Sequence, residues 1–165
     1  MEVIVPTKLD LAVMRGDVRE LSQPERVQLV RQLAADAAIA WGASPPVILV
    51  TAEGGKLVPY ITKAGADQLA AVRGVSVSVE LVDRRTKRVV EATARAILPD
   101  GRYNEDVGGC DYDPKVPKDY DRARRVASTR ARRRAILGLL GTGFAWSERG
   151  DREAGLEDAE AVDDD

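Results

Sequence analysis

Two periodicities in the placement of apolar residues divide the chain into elements. Val27, Val30, Ala34, Ala37, Ala38 and Trp41 recur at three- and four-residue steps, which predicts a helix with one apolar face, and Gly42 supplies a stop. Ser22-Gln23-Pro24-Glu25 has the form of a capping box ahead of it, with proline suited to the first turn. Pro45-Pro46 interrupts the chain before Val47-Ile48-Leu49-Val50, a short strand, and the Gly54-Gly55 turn. Leu57 to Ile61 reads as a second strand whose Pro59 restricts it to an edge or a bulge. Thr62 is placed to cap a helix through Arg73, with Ala66, Leu69 and Val72 inward and Gly74 as terminator.

The period then changes to two. Val75, Val77, Val79 and Leu81 alternate with Ser76, Ser78 and Glu80, so the apolar set shares one sheet face. Asp83 to Lys87 forms a basic turn, and Arg88 to Leu98 returns as a strand with Val90, Ala92, Ala94 and Ala96 on one face. Pro99-Asp100-Gly101 turns the chain into a third antiparallel strand over Arg102 to Val107. A proline-punctuated loop over 111–117 leads to the longest helix, 119–140. There Ala123, Ala127, Ala131 and Ala135 make a small-residue stripe suited to close packing on a sheet, and Ile136, Leu139 and Leu140 extend its buried end. The fold class predicted is α+β, an antiparallel hairpin and sheet packed against helices, with a long C-terminal Arg-rich helix and a disordered acidic tail.

Charge sharpens this division. The 165 residues carry 25 Lys+Arg against 27 Asp+Glu, a net of -2. Residues 147–165 hold nine acids against Arg149 and Arg152, a net of -7, which leaves +5 on a body domain of residues 1–146. Such a tail, almost without large apolar residues, is expected to be disordered. It solubilises the chain, competes with nucleic acid for the body, or docks a protein partner. Eight cations against Asp119 and Asp121 lie between Lys118 and Arg134, and Arg84, Arg85, Lys87 and Arg88 cluster in the hairpin turn. Arg122, Arg125, Thr129, Arg132 and Arg133 fall at helical spacing on one face, with few acids four residues away to balance them.

Composition excludes several chemistries. Without histidine there is no His-based triad, His-containing zinc site or imidazole proton shuttle, and the single Cys110 allows neither an intramolecular disulfide nor a multi-cysteine zinc site. Gly54-Gly55-Lys56-Leu57 lacks the spacing and hydroxyl of a phosphate-binding loop. No apolar run reaches the ~18 residues of a membrane span, and MEVIVPTKLD lacks the order of a signal peptide, so a cytoplasmic protein with no membrane contact is expected. Rows of arginine suit a phosphate backbone, and exposed aromatics suit unpaired bases; Tyr60 and Tyr103, in strand-like segments beside polar loops, are the stacking candidates. Trp41, Phe144 and Trp146 read as packing residues. Asp100, Glu105, Asp106, Asp111 and Asp113 raise a metal-dependent nuclease as a lesser alternative, although their spacing forms no recognisable motif.

Two stretches, Lys56-Leu57-Val58-Pro59-Tyr60-Ile61-Thr62-Lys63-Ala64-Gly65-Ala66-Asp67-Gln68-Leu69 with the strand after it, and Ala127-Ser128-Thr129-Arg130-Ala131-Arg132-Arg133-Arg134-Ala135-Ile136-Leu137-Gly138-Leu139-Leu140-Gly141, resemble bacteriophage single-strand DNA annealing proteins of the RecT-like recombinase group. The resemblance covers about residues 47–146 in the order of elements. It implies an ATP-independent, cofactor-free and non-enzymatic protein that binds single-stranded DNA, assembles into rings or filaments, and pairs complementary strands in recombination within the host cytoplasm. By position, Arg125, Thr129, Arg132 and Arg133 with Arg84, Arg85, Lys87 and Arg88 would hold the backbone. The chain is shorter than many such proteins, and its acidic tail is similar to those of single-strand-binding proteins, so a non-annealing binder or mediator is the alternative.

Overall fold

A computed structural model describes residues 8–9, 12, 15, 17–42, 44–51, 53–84 and 87–141. The order is helix α1 (Gln23–Asp36), strands β1 (Val47–Thr51) and β2 (Leu57–Ile61), helix α2 (Lys63–Arg73), strands β3 (Ser76–Arg84), β4 (Val89–Ile97) and β5 (Tyr103–Asp111), and helix α3 (Asp119–Leu140). The class is α+β. Strands β1 and β2 make a two-stranded antiparallel sheet, and β3-β4-β5 make a three-stranded antiparallel sheet with β4 at its centre. In a two-stranded sheet both strands are edges, which accommodates Pro59 opposite Leu49.

Local chemistry sets the boundaries. The Glu25 carboxylate accepts from the Ser22 backbone N–H at 2.7 Å, completing the capping box of α1. That helix ends at Asp36, short of the Trp41 that the apolar spacing suggests. Ala38 takes a left-handed conformation with φ 58°, and the Ile39 N–H closes on the Ala34 carbonyl at 2.8 Å, which buries Ile39. Trp41 stays 41% exposed, with the Arg31 guanidinium 4.9 Å from its ring centre. The Thr62 hydroxyl accepts from the Gly65 N–H at 3.3 Å, and Gly74 terminates α2 at φ 67°. Val72 is exposed, because α2 turns Gly65, Ala66, Leu69 and Ala70 inward instead.

Packing follows the alanines. Ala92, Ala94 and Ala96 of β4 meet Ala123, Ala127, Ala131 and Ala135 of α3, all without solvent exposure. Small side chains on both surfaces let the helix backbone approach the sheet closely, and Gly108 of β5 is the tightest point. A Cβ there would overlap the Ala127 carbonyl oxygen and the Ala131 nitrogen. Another side of α3 is buried as well: Val126 and Ile136 belong to the core that includes Ile61, Ala66 and Leu69, and the buried Arg133 lies against Tyr60 of β2. The long helix is therefore sandwiched between the three-stranded sheet and a layer built from β2 and α2. The tail at 147–165, with Phe144, Trp146 and Arg85, lies outside the described residues.

Candidate nucleic-acid interface

A helix buried on two opposite sides presents its remaining two flanks at the open margins of the sandwich, and α3 uses them differently. On the β5 side its arginines meet the backbone of the edge strand. Arg134 donates to the Val107 carbonyl at 2.8 Å, Arg130 to the Gly109 carbonyl at 2.7 Å, and Arg122 to the Asp111 carbonyl at 3.4 Å. These alternate carbonyls point away from β4, so the guanidinium groups satisfy an edge that would otherwise be open. Arg122 also pairs with Asp119 at 2.7 Å. That contact, together with the Asp113 N–H at 2.6 Å, holds the Asp119 carboxyl below its ordinary range.

The other flank borders a cleft of about 590 Å³ between β3 and the start of α2. Its lining includes Lys63 of α2, Lys118 at the head of α3, and Arg124, Arg125 and Arg132 along that helix, with Asp121 the single carboxylate among the described lining residues. Ser128 and Thr129 add hydroxyls, and Val79 and Leu81 of β3 form an apolar wall, 40% and 39% exposed. At the far margin Arg132 donates to Asp67 of α2 at 2.7 Å. Cations in a row beside aliphatic surface suit an extended polyanion whose sugars and bases are uncovered.

The face that helical spacing suggested is thus divided. Arg125, Thr129 and Arg132 share the cleft, whereas Arg122 is at the β5 edge. Arg133 is 4% exposed with its guanidinium carbon 4.4 Å from the Tyr60 ring centre, and Tyr60 is 1% exposed. Both are corrections to their reading as contacts: buried among core residues, neither can reach a phosphate or a base in this structure. Tyr103 is 61% exposed, but on the opposite side of the sheet from α3, where Arg95 stacks on it at 4.9 Å and pairs with Glu105 at 2.6 Å. Arg84 ends β3, and Lys87 and Arg88 are exposed in the turn that follows, at the end of the sheet from which α3 starts.

Lys63, Lys118 and Arg124 were missed as cleft residues. Lys63 directly follows a helix-capping threonine and Lys118 directly precedes a helix, so both sit where elements begin beside α3. The signal for Lys63 was position, whereas Lys118 and Arg124 fall within the run of cations from 118 to 134 but off the helical spacing that picked out the face.

The acidic residues of 100–113 do not converge. Asp100 pairs with Arg102 at 2.8 Å and Glu105 with Arg95, while Asp106 occupies the opposite face of β5 from Glu105. Among the described residues no three acids or cysteines are grouped to hold a metal ion, and no helix is long and apolar enough to cross a membrane. Compared with known proteins, the chain matches no family model and no curated protein sequence.

Proposed function

We propose that the chain binds single-stranded DNA in the cleft between β3 and α2 and pairs complementary strands without ATP. The observation that carries the binding reading is the convergence of Lys63, Lys118, Arg124, Arg125 and Arg132 on one open cleft with an aliphatic wall. Arginine and lysine heads hold successive phosphates. Val79 and Leu81 offer apolar contact to sugars and base faces, which a duplex keeps stacked away. Among the described residues no aromatic side chain lines the cleft, and the planar guanidinium groups of Arg124, Arg125 and Arg132 are the stacking surfaces there. Contacts confined to phosphates and sugars make binding tolerant of sequence and leave base edges free to test a second strand. Pairing itself rests on the likeness to phage annealing proteins and on this exposure of bases.

The test is fluorescence-monitored pairing of two complementary labelled oligonucleotides, with and without the protein, in ATP-free buffer. Accelerated pairing supports the annealing reading. Tight binding without acceleration reduces the protein to a single-strand binder, and no binding overturns the assignment of the cleft. If five phosphates are neutralised, log affinity falls with log salt at a slope of roughly -3.5. Replacing both Arg125 and Arg132 by alanine lowers that slope in magnitude by about 1.4.

A further inference from the structure

The two edges of the three-stranded sheet are treated in opposite ways. Strand β5 has its outward carbonyls at Val107, Gly109 and Asp111 covered by arginines, and its Val107 N–H donates to Asp106 at 2.8 Å. Strand β3 is nine residues long, contains neither proline nor glycine, and is exposed from Ser78 to Val82 on both faces. Among the described residues, no hydrogen bond other than those of the β3–β4 ladder reaches its backbone between Ser76 and Val82. A long, valine-rich edge with open donors and acceptors is a template for another strand.

We propose that the occupant of this edge is β3 of a second copy, paired antiparallel about a two-fold axis at Val79. The argument is self-complementarity. With Val79 opposite Val79, Val77 faces Leu81 and Ser76 faces Val82, each twice by symmetry, while Ser78 faces Glu80. No like charges oppose one another within this span. Centring the pair on Glu80 would set two carboxylates face to face, and centring it on Leu81 would oppose Val79 with Asp83 and leave Val77 without its aliphatic partner. In this register the side chains of Val77, Val79 and Leu81 from both copies form one aliphatic strip. Because a two-fold axis perpendicular to the sheet keeps both α3 helices on one side, the two basic clefts adjoin across that strip. The assembly is a six-stranded sheet whose outer edges are the arginine-covered β5 strands.

The test needs no nucleic acid. In a Cys110→Ser background, Val79→Cys is expected to form a disulfide-linked dimer under mild oxidation, and Val107→Cys on the covered edge is expected to remain monomeric. A charge at Ser78 tests the register. Ser78→Glu opposes Glu80 of the second copy and is expected to weaken dimerisation several-fold by sedimentation, whereas Ser78→Lys strengthens it. Within one chain Ser78 lies opposite Arg95, so the effects on thermal stability run the other way and separate folding from association. A wild-type chain that sediments as a monomer at micromolar concentration overturns the proposal. So does cross-linking through residue 107 in place of 79, or an equal response to both charges at 78.

Discussion

The guanidinium carbon of Arg133 lies 4.4 Å from the centre of the Tyr60 ring, with both side chains buried. One cation of the arginine-rich helix is therefore part of the joint between α3 and β2, where a desolvated cation and a ring face attract more strongly than they would in water. Arg133→Ala removes that contact and leaves a void. It is expected to destabilise the fold by about 2–4 kcal/mol in denaturant titration. At temperatures where the variant is still folded, its affinity for single-stranded DNA should equal that of the wild type. Arg125→Ala should give the reverse balance, roughly tenfold weaker binding with a smaller loss of stability than Arg133→Ala. Loss of binding by folded Arg133→Ala would return Arg133 to the interface.

Gly108 tests how closely the helix and sheet are packed. A methyl group there meets the backbone of α3 at Ala127 and Ala131, and backbone cannot swing aside as a long side chain can. Gly108→Ala is expected to cost about 1–3 kcal/mol by forcing α3 away from β5. Gly109→Ala is the control, since the nearest atom to its added Cβ is the Val90 carbonyl oxygen at 3.9 Å. Equal stability of the two variants would show that the helix has room to move.

Acid sensitivity should be traceable to Glu25. The Lys8 ammonium at 2.8 Å and the Ser22 backbone N–H hold its carboxyl at about 2, well below its ordinary value of 4.5. A carboxyl depressed in the folded state stabilises the fold above its unfolded pKa, and that contribution fades as pH falls from 4.5 towards 2. Glu25→Gln cannot titrate. Its melting temperature is expected to lie below that of the wild type at pH 7 and to converge with it near pH 2. Parallel curves across that range would remove Glu25 as a source of the pH dependence.

Most of the fold was legible because its elements obey simple periods. Val90, Ala92, Ala94 and Ala96 alternate without interruption, and Ala123, Ala127, Ala131 and Ala135 repeat every fourth residue, so each stripe named its own buried face. The end of α1 was not legible, because Ile39 is buried by a local reversal at Ala38 that helical spacing cannot show. The arginines divided for a related reason. Spacing on a helical wheel places Arg122, Arg125, Arg132 and Arg133 together, but it contains no second layer. Once α3 is covered on two sides, a shift of one residue separates Arg132 in the cleft from Arg133 in the core. Which strand edge the remaining cations reach depends on how α3 crosses the sheet, which no local pattern encodes.

A competitor for phosphate stands at the far margin of the cleft. Asp67 of α2 accepts from Arg132 at 2.7 Å, with both side chains about one-third exposed. An ion pair at that exposure contributes at most about 1 kcal/mol, so an incoming phosphate can displace the carboxylate, but only by giving up that interaction. Asp67→Asn removes the competing charge while keeping a group of the same shape. Affinity for an unstructured oligonucleotide is expected to rise roughly two- to fivefold, with the slope against log salt little changed, because Arg132 neutralises one phosphate in either chain. Fluorescence anisotropy across a salt series measures both. Weaker binding would mean that Asp67 orients Arg132 towards the strand and does not compete for it. In that case Asp67→Asn and Arg132→Ala should fail to add when combined, because each would remove the same oriented contact.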